Sequence, residues 1–112
     1  MRIKRARQIL KSFADDTRLR IINLLHKQEL TVSDLCRVLH KQQPSMSKHL
    51  TRLRLTGVVG DRRQGLNVYY HLIRSDNKTH RELLSVITYG LVGLETFKKD
   101  LETLKKLRKR RP

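Results

Sequence analysis

Between Thr31 and Gly57 the chain writes two helices with almost nothing between them. "TVSDLCRVLHK" sets Val32, Leu35, Val38 and Leu39 along one face, and Thr31 stands three residues ahead of Asp34 in a shortened capping box. "QQPSMSKHLTRLRLTG" follows at once. Pro44 is tolerated in its first turn, whose amides have no intrahelical partner, and Gly57 ends the helix. Two helices about so short a connection predict a helix-turn-helix.

The flanks extend that unit. Ile3, Ala6, Ile9, Leu10 and Phe13 recur at helical spacing over Ile3 to Phe13, with a basic opposite face. In "ADDTRLRIINLLHKQ", Asp15 can accept free amides, Asp16 suits the positive helix end, and Leu19, Ile22 and Leu25 continue a stripe to a helix end near Lys27. "VVGDRRQGLNVYYHLI" has strand-forming ends, Val58, Val59, Val68, Tyr69, Tyr70 and Ile73, around polar "RRQGLN", and so predicts a β-hairpin. From about Asn77 to Arg110, Leu83, Leu84, Ile87, Leu91, Leu94, Phe97, Leu101, Leu104 and Leu107 predict one long helix, with Gly90 and Gly93 allowing another backbone close. At 1.5 Å per residue it would span roughly 45 to 50 Å, longer than a small domain is wide. Another surface, a second copy of the chain, is expected to cover its far end. The expected division is 1–95 for the helix-turn-helix unit with the helices that pair two copies and 96–112 for a basic helical extension.

Composition narrows the partners. A chain of 112 residues holds one small core, and with five aromatic residues and no Trp that core must be aliphatic. Lys and Arg outnumber Asp and Glu by 26 to 10, a formal charge of +16, which favours nucleic acid ahead of an anionic membrane. The basic start lacks the apolar run of a signal peptide, and nothing reads as a spanning helix, so a cytoplasmic location is expected. The single cysteine, Cys36, excludes an internal disulfide and a multi-cysteine zinc site within one chain. No paired carboxylates near a His, no phosphate loop and no nucleophile with a placed base point to an enzyme, and no cofactor motif is present.

On the fourth helix Met46, Leu50 and Leu53 share the core side, Ser45, Lys48 and Arg52 lie well round the cylinder from them, and Ser47, Thr51 and Arg54 flank it. Gln43, Ser45, Ser47 and Lys48 sit near the helix start, the end that enters a major groove in helix-turn-helix proteins. Arg62, Arg63, Gln64 and Asn67 at the hairpin tip supply a second contact, chiefly to phosphates. A nucleoid or RNA-binding protein would use the same charge without sequence choice; the groove-facing polar set and the hairpin favour the sequence reader.

"FADDTRLRIINLL", "QQPSMSKHLTRLRLTGVV" and "DRRQGLNVYYHL" resemble the arsenic-repressor (ArsR/SmtB) family of bacterial winged-helix regulators over about residues 8 to 95. The resemblance implies a mainly α winged helix-turn-helix with a small β-hairpin, a homodimer through the first and last helices. It implies repression at an inverted-repeat operator until an inducer loosens the protein. Recognition positions then fall on Gln43, Ser45, Ser47, Lys48 and His49, joined by Arg52, and the wing on Arg62 through Asn67. The dimer interface falls on Ile9, Leu10, Phe13, Ile87, Leu91, Leu94, Phe97 and Leu101.

The family's sensing positions are depleted. Where arsenite-responsive relatives have three thiols, this chain has Thr31, Ser33 and Cys36, and neutral hydroxyls are poor soft-metal ligands. If His80 opens the family's zinc site on the last helix, its later positions fall on Leu91 and Leu94, which cannot bind zinc. No metal site is therefore expected, and the inducer stays unidentified. Cys36 is either a half-buried packing residue or the one candidate sensor, by redox or persulfide chemistry or as a ligand completed by another chain.

Overall fold

Helix α2 is the post against which the other elements pack. The computed structural model describes residues 2–109. Within them α1 spans Ile3–Phe13, α2 Asp16–Lys27, β1 Leu30–Thr31, α3 Val32–Leu39, α4 Gln43–Leu55, β2 Val59–Gln64 and β3 Asn67–Leu72. α5, Lys78–Ser85, runs into a π-helical turn, Val86–Gly90, and α6 is Glu95–Lys109. Ile21, Ile22, Leu24 and Leu25 of α2 are buried among Ile9 and Phe13 of α1, Leu35, Val38 and Leu39 of α3, and Met46, Leu50 and Leu53 of α4. Burying each such side chain contributes about 1.5 to 3 kcal/mol.

Local chemistry fixes the corners. The Asp15 carboxylate accepts the Arg18 amide at 3.0 Å and starts α2. At α3 the Thr31 hydroxyl accepts the Asp34 amide at 3.1 Å while the Asp34 carboxylate accepts the Thr31 amide at 3.2 Å, a reciprocal capping box. The turn into α4 is made by His40, held left-handed at φ 54° and ψ 48°, so that the Lys41 amide reaches back to the Cys36 carbonyl at 3.1 Å. At the other end Gly57 takes φ +75°. Its amide bonds to the Arg54 carbonyl and the Val58 amide to the Leu53 carbonyl, a paired closure that turns the chain straight into β2.

The sheet has the order β1-β3-β2, all antiparallel. The expected hairpin is present and longer than expected: its strands run through Arg62, Arg63 and Gln64 to a two-residue turn, Gly65–Leu66, where Gly65 takes φ +62°. Strand β1, pairing Leu30 with Tyr70 and Thr31 with Tyr69, was not expected from sequence, because two residues carry no periodicity.

The tail departs most from expectation. It is not one helix from Asn77 to Arg110, and Arg110, Arg111, Pro112 and Met1 lie outside the described residues. α5 is capped by Asn77, whose side chain accepts the His80 amide at 3.0 Å, and loosens after Ser85. There the Thr88 hydroxyl bonds back to the Leu84 carbonyl at 2.9 Å, β-branched Val86, Ile87 and Thr88 crowd the turn, and Gly90 and Gly93 weaken helix beyond it. Reversal is rewarded by α6 folding back on α2. Phe97 and Leu104 join the core, and Asp100, buried, takes a two-pronged bond from Arg20, Nε to Oδ2 and Nη2 to Oδ1, both at 2.8 Å. Asn23 adds a bond to the Phe97 carbonyl, and the His26 ring meets Tyr89 edge-on at 5.1 Å. The far end of the stripe is thus covered by its own chain.

The Asp100 carboxylate faces a guanidinium that keeps about a quarter of its surface in solvent, 24%. Asp100→Ala is expected to cost about 2 kcal/mol, below the roughly 3 to 5 kcal/mol of a fully buried pair because Arg20 is partly solvated, measured by urea unfolding. Exposed Lys99→Ala should cost under about 0.5 kcal/mol. Equal, small losses would show that the pair does not hold α6.

Candidate nucleic-acid interface

Met46, Leu50 and Leu53 are fully buried and fix the rotation of α4. Gln43, Ser45, Lys48, Thr51 and Arg52 are consequently exposed, and Ser47 and His49 half-buried. No side chain caps the first turn of α4, so its free amides add partial positive charge at the end where Gln43 and Ser45 stand. An open groove of about 570 Å³ runs between α4 and α1, with Ser45, Lys48 and Arg52 on one wall and Arg5 and Gln8 on the other. Arg5 and Gln8 were not singled out from sequence. The basic face of α1 was the signal, but which groove it borders depends on the α1–α2 corner.

The wing divides its cations. Arg62 forks onto Glu29, with contacts of 2.8 and 3.0 Å, donates to the Gln64 side chain at 2.8 Å and lies 5.0 Å over the Tyr69 ring. Those bonds hold the Glu29 carboxyl below its ordinary range and Arg62 above its own. The guanidinium expected to hold a phosphate is thus engaged by Glu29 in this structure. Arg63 alternates to the other side of β2, is exposed, and makes no ion pair among the described residues. Gln64 and Asn67 face each other across the hairpin end, and Leu66 at the tip is fully exposed. Arg54 is spent tying α4 to β2 through Asp61 at 3.1 Å.

Cys36 is half-buried against the core, and burial pushes its thiol up from the ordinary value, toward an unreactive protonated form. The Thr31 hydroxyl is committed to its cap and Ser33 is exposed. Among the described residues no three His, Cys, Asp or Glu side chains gather as a metal-binding group. His80 is buried edge-on to Phe13, its ring centroid 6.3 Å away. Burial first, then the charge of Arg5, lowers its pKa.

Of the expected dimer residues, Ile9, Phe13, Ile87 and Phe97 are buried in the chain's own core, so their side chains are already used. Leu91 and Leu101 are half-buried, while Leu10 and Leu94 are 52% and 44% exposed. Ile3, Val86, Tyr89 and Val92 are further large apolar groups left in solvent.

Comparison with known proteins gives a family and a fold. The family described as "Bacterial regulatory protein, arsR family" matches residues 15–60. The chain is 48% identical over 66 residues to the arsenical resistance operon repressor of Escherichia coli (strain K12), covering 58% of this chain and 56% of that protein. It thus spans about half the length of the arsenic-resistance regulators that it matches. It is 37% identical over 76 residues to the transcriptional activator HlyU of Vibrio cholerae, covering 68% of this chain and 70% of HlyU. A solved structure of HlyU from that organism superposes with a TM-score of 0.62 at 35% identity, over 73% of this chain and 89% of the other. The homodimeric winged helix-turn-helix DNA-binding domain Mb0332 of Mycobacterium bovis shares the fold, with a TM-score of 0.65 at 22% identity over 83% of this chain and 87% of that one. The named relatives are transcriptional regulators, not enzymes. No helix among the described residues is long and apolar enough to cross a membrane.

Glu29 occupies the guanidinium of Arg62 that a phosphate would otherwise meet. Glu29→Gln should therefore tighten binding to duplexes of any sequence and steepen the plot of log affinity against log salt by about 0.9, one added phosphate contact. An unchanged slope would show that Arg62, once released, still does not reach DNA.

Proposed function

This chain belongs to the arsR family of bacterial regulatory proteins, and from that premise we propose that it is a dimeric repressor that reads an inverted-repeat operator in double-stranded DNA. The observation that carries the reading is the exposed polar edge at the start of α4, set by three buried apolar residues on its opposite side. Gln43 and Lys48 are proposed to meet base edges in the major groove, where a bidentate amide or a placed ammonium contributes about 1 to 3 kcal/mol of discrimination. Ser45, Ser47, His49 and Arg52 complete the helix contact, and Arg63, Gln64 and Asn67 hold the flanking backbone, with Arg62 joining when released from Glu29. The match to an arsenical repressor supports repression as the sign of control.

Two copies are proposed to meet through Leu10, Leu91 and Leu94 together with exposed Val86, Tyr89 and Val92, since large apolar groups left in solvent mark an association surface. A two-fold dimer presents two α4 helices, and two-fold operators follow from that symmetry. Residues 96–112 are proposed to serve as a basic extension; within it α6 braces α2, and its exposed lysines add nonspecific affinity. The protein is proposed to act in the bacterial cytoplasm, at the nucleoid, without a metal or other cofactor. Its inducer is unidentified; Cys36 is its single thiol, and a sensing role for it would require a signal that first exposes the half-buried sulfur.

The test compares binding to a duplex that the protein selects from a random-sequence library with binding to random duplex at one salt concentration. Lys48→Ala and Ser47→Ala should reduce the preference for the selected duplex about five-fold or more, each losing a contact of order 1 kcal/mol. Arg63→Ala should weaken both duplexes alike and shallow the salt dependence by about 0.9. Equal wild-type affinity for selected and random duplex would contradict the repressor and leave a sequence-independent nucleic-acid binder.

A further inference from the structure

Arg18, at the start of α2, reaches back across the corner to α1. Its Nε donates to the Ser12 carbonyl at 2.7 Å and one terminal nitrogen to the Lys11 carbonyl at 3.2 Å. The other terminal nitrogen lies 3.1 Å from Nδ1 of His49 on α4, and the two residues are far apart in sequence. A guanidinium can only donate, so His49 Nδ1 accepts with its lone pair and carries no proton. The ring proton is therefore on Nε2. The alternative partner is weaker: Asp15 Oδ2 is 3.7 Å from the same nitrogen, beyond hydrogen-bond range, and already accepts the Arg18 amide at 3.0 Å.

The charges around the ring agree with that state. Burial lowers the pKa of His49 first, and Arg18 and Lys41 add to it against the opposing Asp15, so the imidazole is neutral at neutral pH. Nε2 makes no hydrogen bond among the described residues. The ring lines the α1–α4 groove beside Ser45, Lys48 and Arg52.

We propose that Arg18 is a positioning residue for DNA recognition: it holds His49 in the Nε2–H tautomer, so that the ring offers one neutral donor to an acceptor atom of the bound duplex. The acceptor is an oxygen or ring nitrogen on a base edge or a phosphate oxygen, which share the chemistry of taking a neutral N–H. Arg18 also lines the groove, and the role proposed for it is exercised through the ring. The inference rests on α4 being the DNA-facing helix.

Long-range proton–nitrogen NMR of the free wild-type protein at neutral pH should show His49 with Nε2 protonated and Nδ1 bare. An imidazolium, or a proton on Nδ1, overturns the proposal without any variant having to fold. Binding is then measured to the duplex selected by the wild type and to random duplex. Arg18→Lys, which keeps the charge but not the fork, should weaken the selected complex about five-fold. In a His49→Gln background, where the amide supplies a donor near the Nε2 position without help from Arg18, the same change should cost less than about two-fold. Equal losses in both backgrounds overturn the proposal, because Arg18 would then act only through the α1–α2 corner. A loss confined to the selected duplex identifies a base-edge acceptor; a loss shared with random duplex identifies phosphate. A wild type that selects no duplex overturns the DNA reading of α4 itself, whatever the tautomer, whereas the wrong tautomer overturns the positioning alone.

Discussion

The burial of Met46, Leu50 and Leu53 decides what the molecule presents to a partner. A helix has one free rotation about its axis, and three fully buried side chains on one stripe remove it. Once α4 cannot roll, Gln43, Ser45, Lys48 and Arg52 must point outward. Its two ends are set with equal economy. Left-handed His40 delivers α3 into it, and Gly57 sends the chain from it directly into the hairpin, so α4 and the hairpin follow one another without an intervening loop.

Net charge alone does not tell which cations are available. Much of the arginine is engaged inside the fold: Arg20 on Asp100, Arg54 on Asp61, Arg62 on Glu29, Arg18 on α1 carbonyls and His49. What remains exposed around α4, Lys48 and Arg52, with Arg5 from α1 and Arg63 from the wing, lies on three separate elements. Held by one core, these are placed to track a duplex backbone in the proposed complex, which leaves the neutral donors among them for the bases.

Wherever one residue type at one spacing has one physical outcome, the fold was legible in sequence. Thr31 and Asp34 cap as their spacing requires, Pro44 sits in the first turn of α4, and the core side of α4 follows from periodicity. Contacts set by distant residues were not legible. β1 exists because β3 offers an edge, His40 is left-handed because its neighbours must turn, and Arg62 meets Glu29 across the sheet. The tail shows the limit best. Its apolar spacing suits a long helix between two chains as well as a reversal onto α2, and contacts to another element, Arg20 on buried Asp100 and Asn23 on the Phe97 carbonyl, go with the reversal. Ile87 and Phe97, expected at an interface between copies, are for the same reason buried within the single chain.

In the proposed complex two copies place two α4 helices in successive major grooves of one operator. Hydroxyl-radical footprinting on the duplex selected from a random library, with the protein stoichiometry of the complex measured alongside, tests it most directly. Two protomers per duplex should protect two half-sites about 10 base pairs apart, or a whole multiple of one helical turn, related by a two-fold axis. Uniform protection without half-sites, or a complex with one protomer, would contradict the account.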